Sequence, residues 1–496
     1  MSDDAAALAR LEELLMRGEM PGEDSRGLLL ETVRHFRRCR HRRGAHKSSE
    51  RRAPRGVRSS SITARGHGRN GACDYTGAEH VPCPHKDLKE GDPCPLANCR
   101  GKLYHLRWDS DVELKAAPPV HALCYDRDVL RCFSCQTTFT APLPEEAHGS
   151  KYHPSVDAVL GTMRYGLGVP HHRLEQWQAW AGIPLPASTQ FERVATLAEA
   201  VQAIHRYLEK LAANQAVVFS DDTGVRILAL QREIRAQPEG ERRGVYTTGI
   251  VARGLMGAGP AVALYASGRR HAGENLDRLL VERRKEEPDL IHMADAASRD
   301  PLFARRLPAR CWSHARRYFV EAEEAFPQEC RHVLEAIAAV YKNDAQASDL
   351  DPPSRLRHHQ EKSAPVLLAL YNWIEEQFRE RRVEPNGQLG KAFQYLQNHK
   401  EGLTRFLHVP GVPLDNNPVE RELKPAVRHR KNSLFYKTEA GAFVGDVLMS
   451  AIRTCVLNRV DPVHYLTAVG EHAARARASP EAWLPWTYKQ TLAALN

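Results

Sequence analysis

The spacing of apolar residues changes along the chain, from helical to strand-like and back to helical. Near the start, Ala7, Leu8, Leu11, Leu14 and Leu15 form a stripe that predicts a helix over Asp3 to Met16, capped by Ser2 or Asp3. A second short helix is expected from Asp24 to about Arg38, and then large apolar residues nearly vanish between Gly44 and Gly71. Helical patterns return at Ser155 to Tyr165, at Pro170 to Ala181, and from Ala187 or Ser188 onward, with Gly182-Ile-Pro-Leu-Pro between the last two. Helix, glycine-containing turn and helix outline either a helix-turn-helix or an ordinary helical hairpin, and periodicity does not separate them.

From Gln215 the texture shifts to short apolar runs at Ala216–Phe219, Val225–Leu230, Val245–Val251 and Ala261–Tyr265. An amphipathic helix at Glu274–Arg284 and another run at Leu290–Met293 follow, which predicts an α/β core. Tyr318 to Leu407 reads mostly helical, broken at Asp349–Ser354 and Glu384–Gly387, and Gly441 to Asn496 is helical again. No internal repeat is evident.

Length and composition widen this picture. A chain of 496 residues, 42% hydrophobic, holds several domains and ample core. Its formal charge of +9 is uneven: Arg34 to Arg69 carries thirteen Lys or Arg against Glu50 alone, a local +12 that leaves about −3 elsewhere. Such a block reads as a basic linker that favours a polyanion such as nucleic acid. No apolar stretch approaches membrane-spanning length, and the start lacks the basic and apolar segments of a signal peptide, so a soluble, intracellular protein is expected.

Eleven cysteines in a reducing compartment point to metal binding before disulfides. Cys94 and Cys99 form one close pair, and Cys132 and Cys135 another. Each short knuckle supplies two thiolates, so the four suit a closed tetrahedral zinc site of the ribbon type, with Cys83, His85 and Cys124 as spare candidates.

The most informative segment is Leu414-Asp-Asn-Asn-Pro-Val-Glu-Arg-Glu-Leu-Lys424, in which Glu420 sits among Arg421, Lys424, Arg428, Arg430 and Lys431. Asp221 ends one apolar run and Asp295 another. Two strand-end aspartates and a helical glutamate can hold hard cations by oxygen while leaving room for phosphate, which is what two-metal phosphoryl transfer requires. Asp222 competes with Asp221, because adjacent strand residues face opposite ways.

Several motifs then occur in order: Ser220-Asp-Asp-Thr-Gly-Val-Arg-Ile-Leu228, His271-Ala-Gly-Glu-Asn-Leu276, Cys311-Trp-Ser-His-Ala-Arg-Arg-Tyr-Phe319, Asp415-Asn-Asn-Pro-Val-Glu-Arg421 and Arg430-Lys-Asn-Ser-Leu-Phe435. With Gly66–Ala72, Pro82–Leu103, Asn458–Pro462 and Leu484–Trp486, the chain resembles bacterial DDE transposases of the insertion-sequence-66 type from about residue 66 to its end.

That resemblance implies a multidomain α/β protein: a ribonuclease H-like catalytic core with a helical insertion, preceded by a zinc ribbon and a helix-turn-helix-like domain, and followed by a helical C-terminal domain. The expected divisions are short helices over 1–43, a basic flexible linker over 44–82, the ribbon over 83–145 and the helix-turn-helix-like region over 146–212. The core would occupy 213–325 and 405–440 around an insertion at 326–404, with the C-terminal domain at 441–496. By the same resemblance Asp221, Asp295 and Glu420 are the catalytic ligands of Mg²⁺ or Mn²⁺, and the first aspartate before an acid and Thr selects Asp221 over Asp222. The four cysteines would hold structural Zn²⁺, and Arg421, Lys424, Arg430 and Lys431 would contact DNA phosphates.

The implied activity is cleavage at transposon ends and strand transfer into target DNA. The implied partners are double-stranded DNA at terminal inverted repeats and at the target, further copies of the chain, and small accessory proteins; the place is the bacterial cytoplasm, at the nucleoid. Asp295-Ala-Ala-Ser-Arg-Asp300 departs from the family's Asp-Gly-Tyr and leaves Asp300 as a substitute. Gly224 stands where Pro is common. His314 reads as a satisfied structural histidine, and Cys311 with His314 is too little for a cysteine hydrolase. The contrasting reading is a catalytically retired, domesticated transposase that acts as a zinc-containing DNA-binding protein.

Overall fold

The computed structural model describes residues 88–93, 95, 101–103, 119–131, 138–145, 150–238, 241–296 and 300–495. The expected N-terminal helices, the basic linker and Cys94, Cys99, Cys132 and Cys135 lie outside these residues. Two compact units divide at Lys115 and Ala116. In the first, Pro93 bridges to Lys102, and the Leu103 N–H donates to the Asp92 carbonyl at 2.9 Å.

The second unit begins with a small antiparallel pair, β1 (Val129–Arg131) and β2 (Thr138–Thr140). Helix α1 (Pro154–Gly161) continues as a single π turn over Thr162–Gly166, then α2 (His171–Trp180) leads through Gly182, at φ +73°, to α3 (Ala187–Ala213). The 27-residue α3 spends most of its length as a core spine, burying Val194, Leu197, Val201, Ile204 and Leu208. Arg193 binds it to α1 through a bidentate pair with Asp157, at 2.8 and 2.6 Å.

Five strands follow: β3 (Val217–Gly224), β4 (Tyr246–Arg253), β5 (Val262–Gly268), β6 (Leu290–Ala294) and β7 (Arg306–Arg310). They form one sheet in the order β5-β4-β3-β6-β7, with β4 antiparallel to both neighbours and β3, β6 and β7 parallel. Alternation along β3 sends Val217 and Phe219 to one face and Val218 to the other, each into its own apolar cluster. Helices cover both faces, which is why these strands read as continuous apolar runs.

Two expectations fail here. Val225–Leu230 is not a strand: Ile227, Leu230 and Ile234 repeat at helical spacing, and α4 (Leu228–Ala236) begins there instead. Its first free N–H groups, on Leu228 and Ala229, donate to the carbonyls of Tyr436 and Lys437. Conversely, β7 has no apolar run to announce it. As an edge strand it tolerates Arg306, Arg310 and the internal Pro308.

After β5 comes α5 (Ala272–Leu280), and after β7 a helical stretch on the Phe219 face: α6 (Trp312–Ala322), α7 (Pro327–Gln346), α8 (Pro352–Lys362), α9 (Ala364–Arg379) and α10 (Gln388–Asn398). The chain then returns to the sheet with α11 (Asn417–Ser433), followed by α12 (Glu439–Leu457) and α13 (Pro462–Glu471).

Helix α12 is long and apolar enough to cross a membrane, contrary to the sequence expectation, but 67% of its apolar window is buried inside the protein. It closes the exposed edge of β5. Asp446, Ser450, Thr454 and Asn458 accept from the N–H groups of Ser267, Tyr265, Ala263 and Ala261, at 2.7 to 3.1 Å. Four helical residues rise about 6 Å and two strand residues about 6.6 Å, so the two ladders stay in step. The edge is thereby withdrawn from pairing with other chains.

Candidate active site

The sheet brings two acids to one end. Parallel register pairs Ser220 with Ala294, so Asp221 on β3 and Asp295, just past β6, lie at the same end of adjacent strands. Asp221 shares the face of Val217 and Phe219, whereas Asp222 points the other way. There Asp222 accepts from Thr248 Oγ1 at 2.6 Å and from the Ala272 N–H at 2.7 Å, which ties it to the start of α5.

Glu420 arrives on the first turn of α11. Pro418 opens this helix, Glu420 meets its positive end, and Arg430 and Lys431 complement its negative end. Close approach depends on Gly249, which stands opposite Asp221 on β4. A Cβ there would lie 2.8 Å from Leu423 Cδ2 and 3.4 Å from Val419 Cγ2. Below the site Glu422 pairs with Arg453 of α12 at 2.6 and 3.0 Å, and Tyr265 donates to the Glu422 carbonyl. The preceding loop is held as tightly: the buried Asn416 donates its side-chain amide to the Ser220 carbonyl at 3.1 Å, and its N–H to Cys311 Sγ at 3.2 Å.

His314, from the first turn of α6, stands between the acids. Its Nε2 is 3.7 Å from Asp295 Oδ2 and its Nδ1 is 3.5 Å from Glu420 Oε1. That Nδ1 and that Oε1 are both buried, yet neither has a hydrogen-bond partner among the described residues. His314, expected from the sequence to be a structural histidine, thus lies between two acids at ion-pair distance, with no hydrogen bond at its Nδ1 among the described residues. Cys311 Sγ, a His314 nitrogen and a Glu420 oxygen lie within 4.8 Å of one another, a grouping able to hold a metal ion. Burial pushes the Cys311 thiol up to about 11, so it is no thiolate nucleophile at neutral pH. Tyr395 donates to Asp295 Oδ1 at 3.3 Å and orients it.

Burial dominates the electrostatics of the first aspartate. Burial raises the Asp221 carboxyl to about 6; the Asp222 N–H, donating at 2.8 Å, and His314 pull it down, while Glu420 and Asp222 push it further up. Asp221, Asp295 and Glu420 thus lie around His314 at one end of the sheet, although the side chains whose ligand atoms fall within 4.8 Å of one another are Cys311, His314 and Glu420, without either aspartate. Asp300 is differently placed. Burial raises its pKa, but the Arg310 hydrogen bond at 2.6 Å and Arg306 at 3.3 Å outweigh that and hold it below the ordinary value. Asp300 is thus engaged as an ion-pair partner.

Among the basic residues singled out in the sequence, Arg421, Lys424 and Lys431 are exposed. Arg430 is half-buried and donates to Thr223 Oγ1 at 3.1 Å and to the Gly224 carbonyl at 2.5 Å, bracing α11 against the end of β3.

Residues 149–443 match the profile described as Transposase IS66 family. The chain belongs to that family. Three similar proteins come from Sinorhizobium fredii (strain NBRC 101917 / NGR234), all described only as uncharacterized. Protein y4qI is 29% identical over 36% of this chain and 34% of its own length, so the match spans about a third of that relative. Protein y4jD is 25% identical over 83% of this chain and 81% of its own, and y4hP 24% identical over 74% and 68%. The matched IS66 region contains Asp221, Asp295, His314 and Glu420, the whole of the site.

Proposed function

We propose that this IS66-family transposase cuts DNA at the ends of a mobile element and joins them to target DNA, at a ribonuclease H-like core whose working groups are Asp221, Asp295 and Glu420. One observation supports the reading above the others: two aspartates stand at the same end of adjacent parallel strands, and His314 lies 3.7 Å from Asp295 and 3.5 Å from a buried Glu420 oxygen that has no hydrogen bond among the described residues. The strand order, with its single reversed second strand, supports the ribonuclease H-like assignment. Mg²⁺ or Mn²⁺ held by the three carboxylates would supply Lewis-acid activation of the attacking oxygen and charge for the departing one.

The chain's own groups do the positioning. The Asp222 N–H and Tyr395 orient the two aspartates, while Gly249 and the Glu422–Arg453 pair fix the height of Glu420. Arg421 and Lys424, close to Glu420 along α11, and Lys431, in its last turn, face solvent and would bind backbone phosphates without reading sequence, with Arg430 acting chiefly as a brace. Structural zinc at Cys94, Cys99, Cys132 and Cys135 rests on cysteine spacing, and metal analysis of wild type against Cys132→Ser tests it. Unchanged zinc content in the variant would sink that assignment. Assembly from several copies and help from accessory proteins follow from family resemblance.

The deciding experiment is Mg²⁺-dependent cleavage of DNA bearing the element's own ends, by wild type and by Glu420→Gln. Cleavage by the wild type alone supports the proposal. Cleavage that survives in the variant rejects the carboxylate assignment, and specific binding without cleavage, even with accessory proteins added, marks a retired enzyme.

A further inference from the structure

We propose that the cavity between the start of β3 and the first turn of α11, flanked by Arg253, Arg355 and Arg421, is a second phosphate pocket that takes a DNA backbone phosphate distant from the reacting one. This inference rests on the reading of the chain as a DNA-cleaving transposase.

The cavity has a volume of about 410 Å³ and is lined by three guanidinium groups and two carboxylates, Asp344 and Asp415. Both carboxylates are already engaged. Asp344 pairs with Arg355, whose Nε lies 3.1 Å from its Oδ1, and with His359 at 3.0 Å. Asp415 accepts from Tyr341 at 3.3 Å and from the Asn417 N–H at 3.1 Å. Arg253 and Arg421, by contrast, have no ion pair or hydrogen bond among the described residues. Arg253 instead lies 4.7 Å over the Phe219 ring, and burial, followed by the charges of Arg421 and Arg355, holds its guanidinium below the ordinary value. Asp415 offsets part of the Arg253 charge, but three guanidinium groups against two carboxylates leave the cavity net positive, and the free N–H forks of Arg253 and Arg421 match a phosphate, which accepts paired donors. The first turn of α11, through Asn417 and Pro418, adds the positive end of a 17-residue helix to the same wall.

The position fits a nucleic-acid track. Arg253 pairs with Val217 in the sheet, so it emerges on the face that carries Asp221, four residues away along β3. That is about 13 Å at strand rise. Successive phosphates of a strand are farther apart than the axial rise of about 3.4 Å because they also wind around the axis, so the pocket would hold a phosphate only a few nucleotides from the one that reacts.

The test is equilibrium binding of the full chain to a duplex carrying the element's ends, over a range of salt, for wild type, Arg253→Gln and Arg421→Gln. Arg421 is exposed, so its variant folds even if Arg253→Gln does not. Each substitution should weaken binding about tenfold and reduce the slope of log K against log salt by roughly 1. Neutral methylphosphonates placed one at a time within the few nucleotides beside the cut should, at one position, weaken wild-type binding but add little in Arg421→Gln. Unchanged affinity and slope in both arginine variants would overturn the pocket, and with it the phosphate role given to Arg421, while end cleavage by the wild type that is lost in Glu420→Gln would leave the proposed strand cleavage standing. Protection of the wild type by inorganic phosphate with normal DNA binding by the variants would overturn the DNA assignment in favour of the free ion. A wild type that binds no DNA at any salt would overturn both readings together.

Discussion

The two faces of β3 treat their carboxylates in opposite ways. On the α5 face Asp222 receives two short hydrogen bonds, and nearby Asp446 receives two from Ser267, at 2.7 Å each. On the other face Asp221, one residue away, receives a single N–H and lies near Glu420 and His314, whose Nδ1 has no hydrogen bond among the described residues. The same contrast recurs on α11: Glu422 is buried in a bidentate pair with Arg453, and Glu420, two residues earlier, keeps an orphaned oxygen. Fully paired acids hold a fold together, whereas converging acids left short of partners weaken it unless a cation completes them. The face that is costly to the fold is the one that can do chemistry.

Neutralising the unsatisfied side should have the largest effect. Glu420→Gln is expected to lower cleavage at least about a thousandfold, roughly 4 kcal/mol of transition-state stabilisation, with DNA affinity nearly kept. Gly249→Val comes next. The new side chain would push α11 off the sheet at Leu423, costing about 1–3 kcal/mol of stability by overpacking. A displacement near 1 Å should also cost cleavage about a hundredfold. Adding Leu423→Ala should recover part of both losses. If Gly249→Val cleaves as the wild type does, the spacing of β4 and α11 does not set the height of Glu420.

On the satisfied side the order of effects reverses. Glu422→Gln leaves Arg453 without its buried counter-charge and should cost about 3 kcal/mol of unfolding free energy. Cleavage at low temperature, where the variant is still folded, should stay within a few fold of wild type. A collapse of activity without loss of stability would show that Glu422 belongs to the site and would dissolve the contrast drawn between it and Glu420.

Much of this arrangement is legible in the residues, and the illegible parts share a cause. Short apolar runs mark β3, β4, β5 and β6 because both sheet faces are covered, and they end at Asp221 and Asp295. Pro418, the early acid and the late bases mark α11 as a helix with Glu420 near its positive end. Strand β7 is hidden because an edge strand needs neither apolar alternation nor every N–H. His314 is hidden because its role depends on distances to Asp295 and Glu420, which lie 19 residues before it and 106 after it in the chain. Gly249 and the Asp446-Ser450-Thr454-Asn458 ladder act only through partners remote in sequence. Local pattern reveals elements; it does not reveal which side chains the fold leaves unpaired.

The smallest effect is the most discriminating, because it concerns stability alone. With the folded carboxyl of Asp221 raised to about 6 from an ordinary 3.8, the folded protein binds a proton that the unfolded chain has released in that interval. Its contribution to stability is therefore full below about 4 and lost as pH rises through 6. Asp446, which its Ser267 hydrogen bonds pull down but burial still holds at about 7, adds a loss of its own over a wider window that is common to wild type and variant. Asp221→Asn removes the first loss and keeps an acceptor for the Asp222 N–H. Metal-free Asp221→Asn should match wild type near pH 4 and exceed it by about 2 kcal/mol at pH 7.5, allowing for the partial exposure of the site. Mg²⁺ should then narrow the gap by stabilising wild type above pH 6 and leaving the variant unmoved. A variant less stable than wild type at pH 7.5 without metal would mean that Asp221 is as well satisfied as Asp222, and the two faces of β3 would no longer differ in kind.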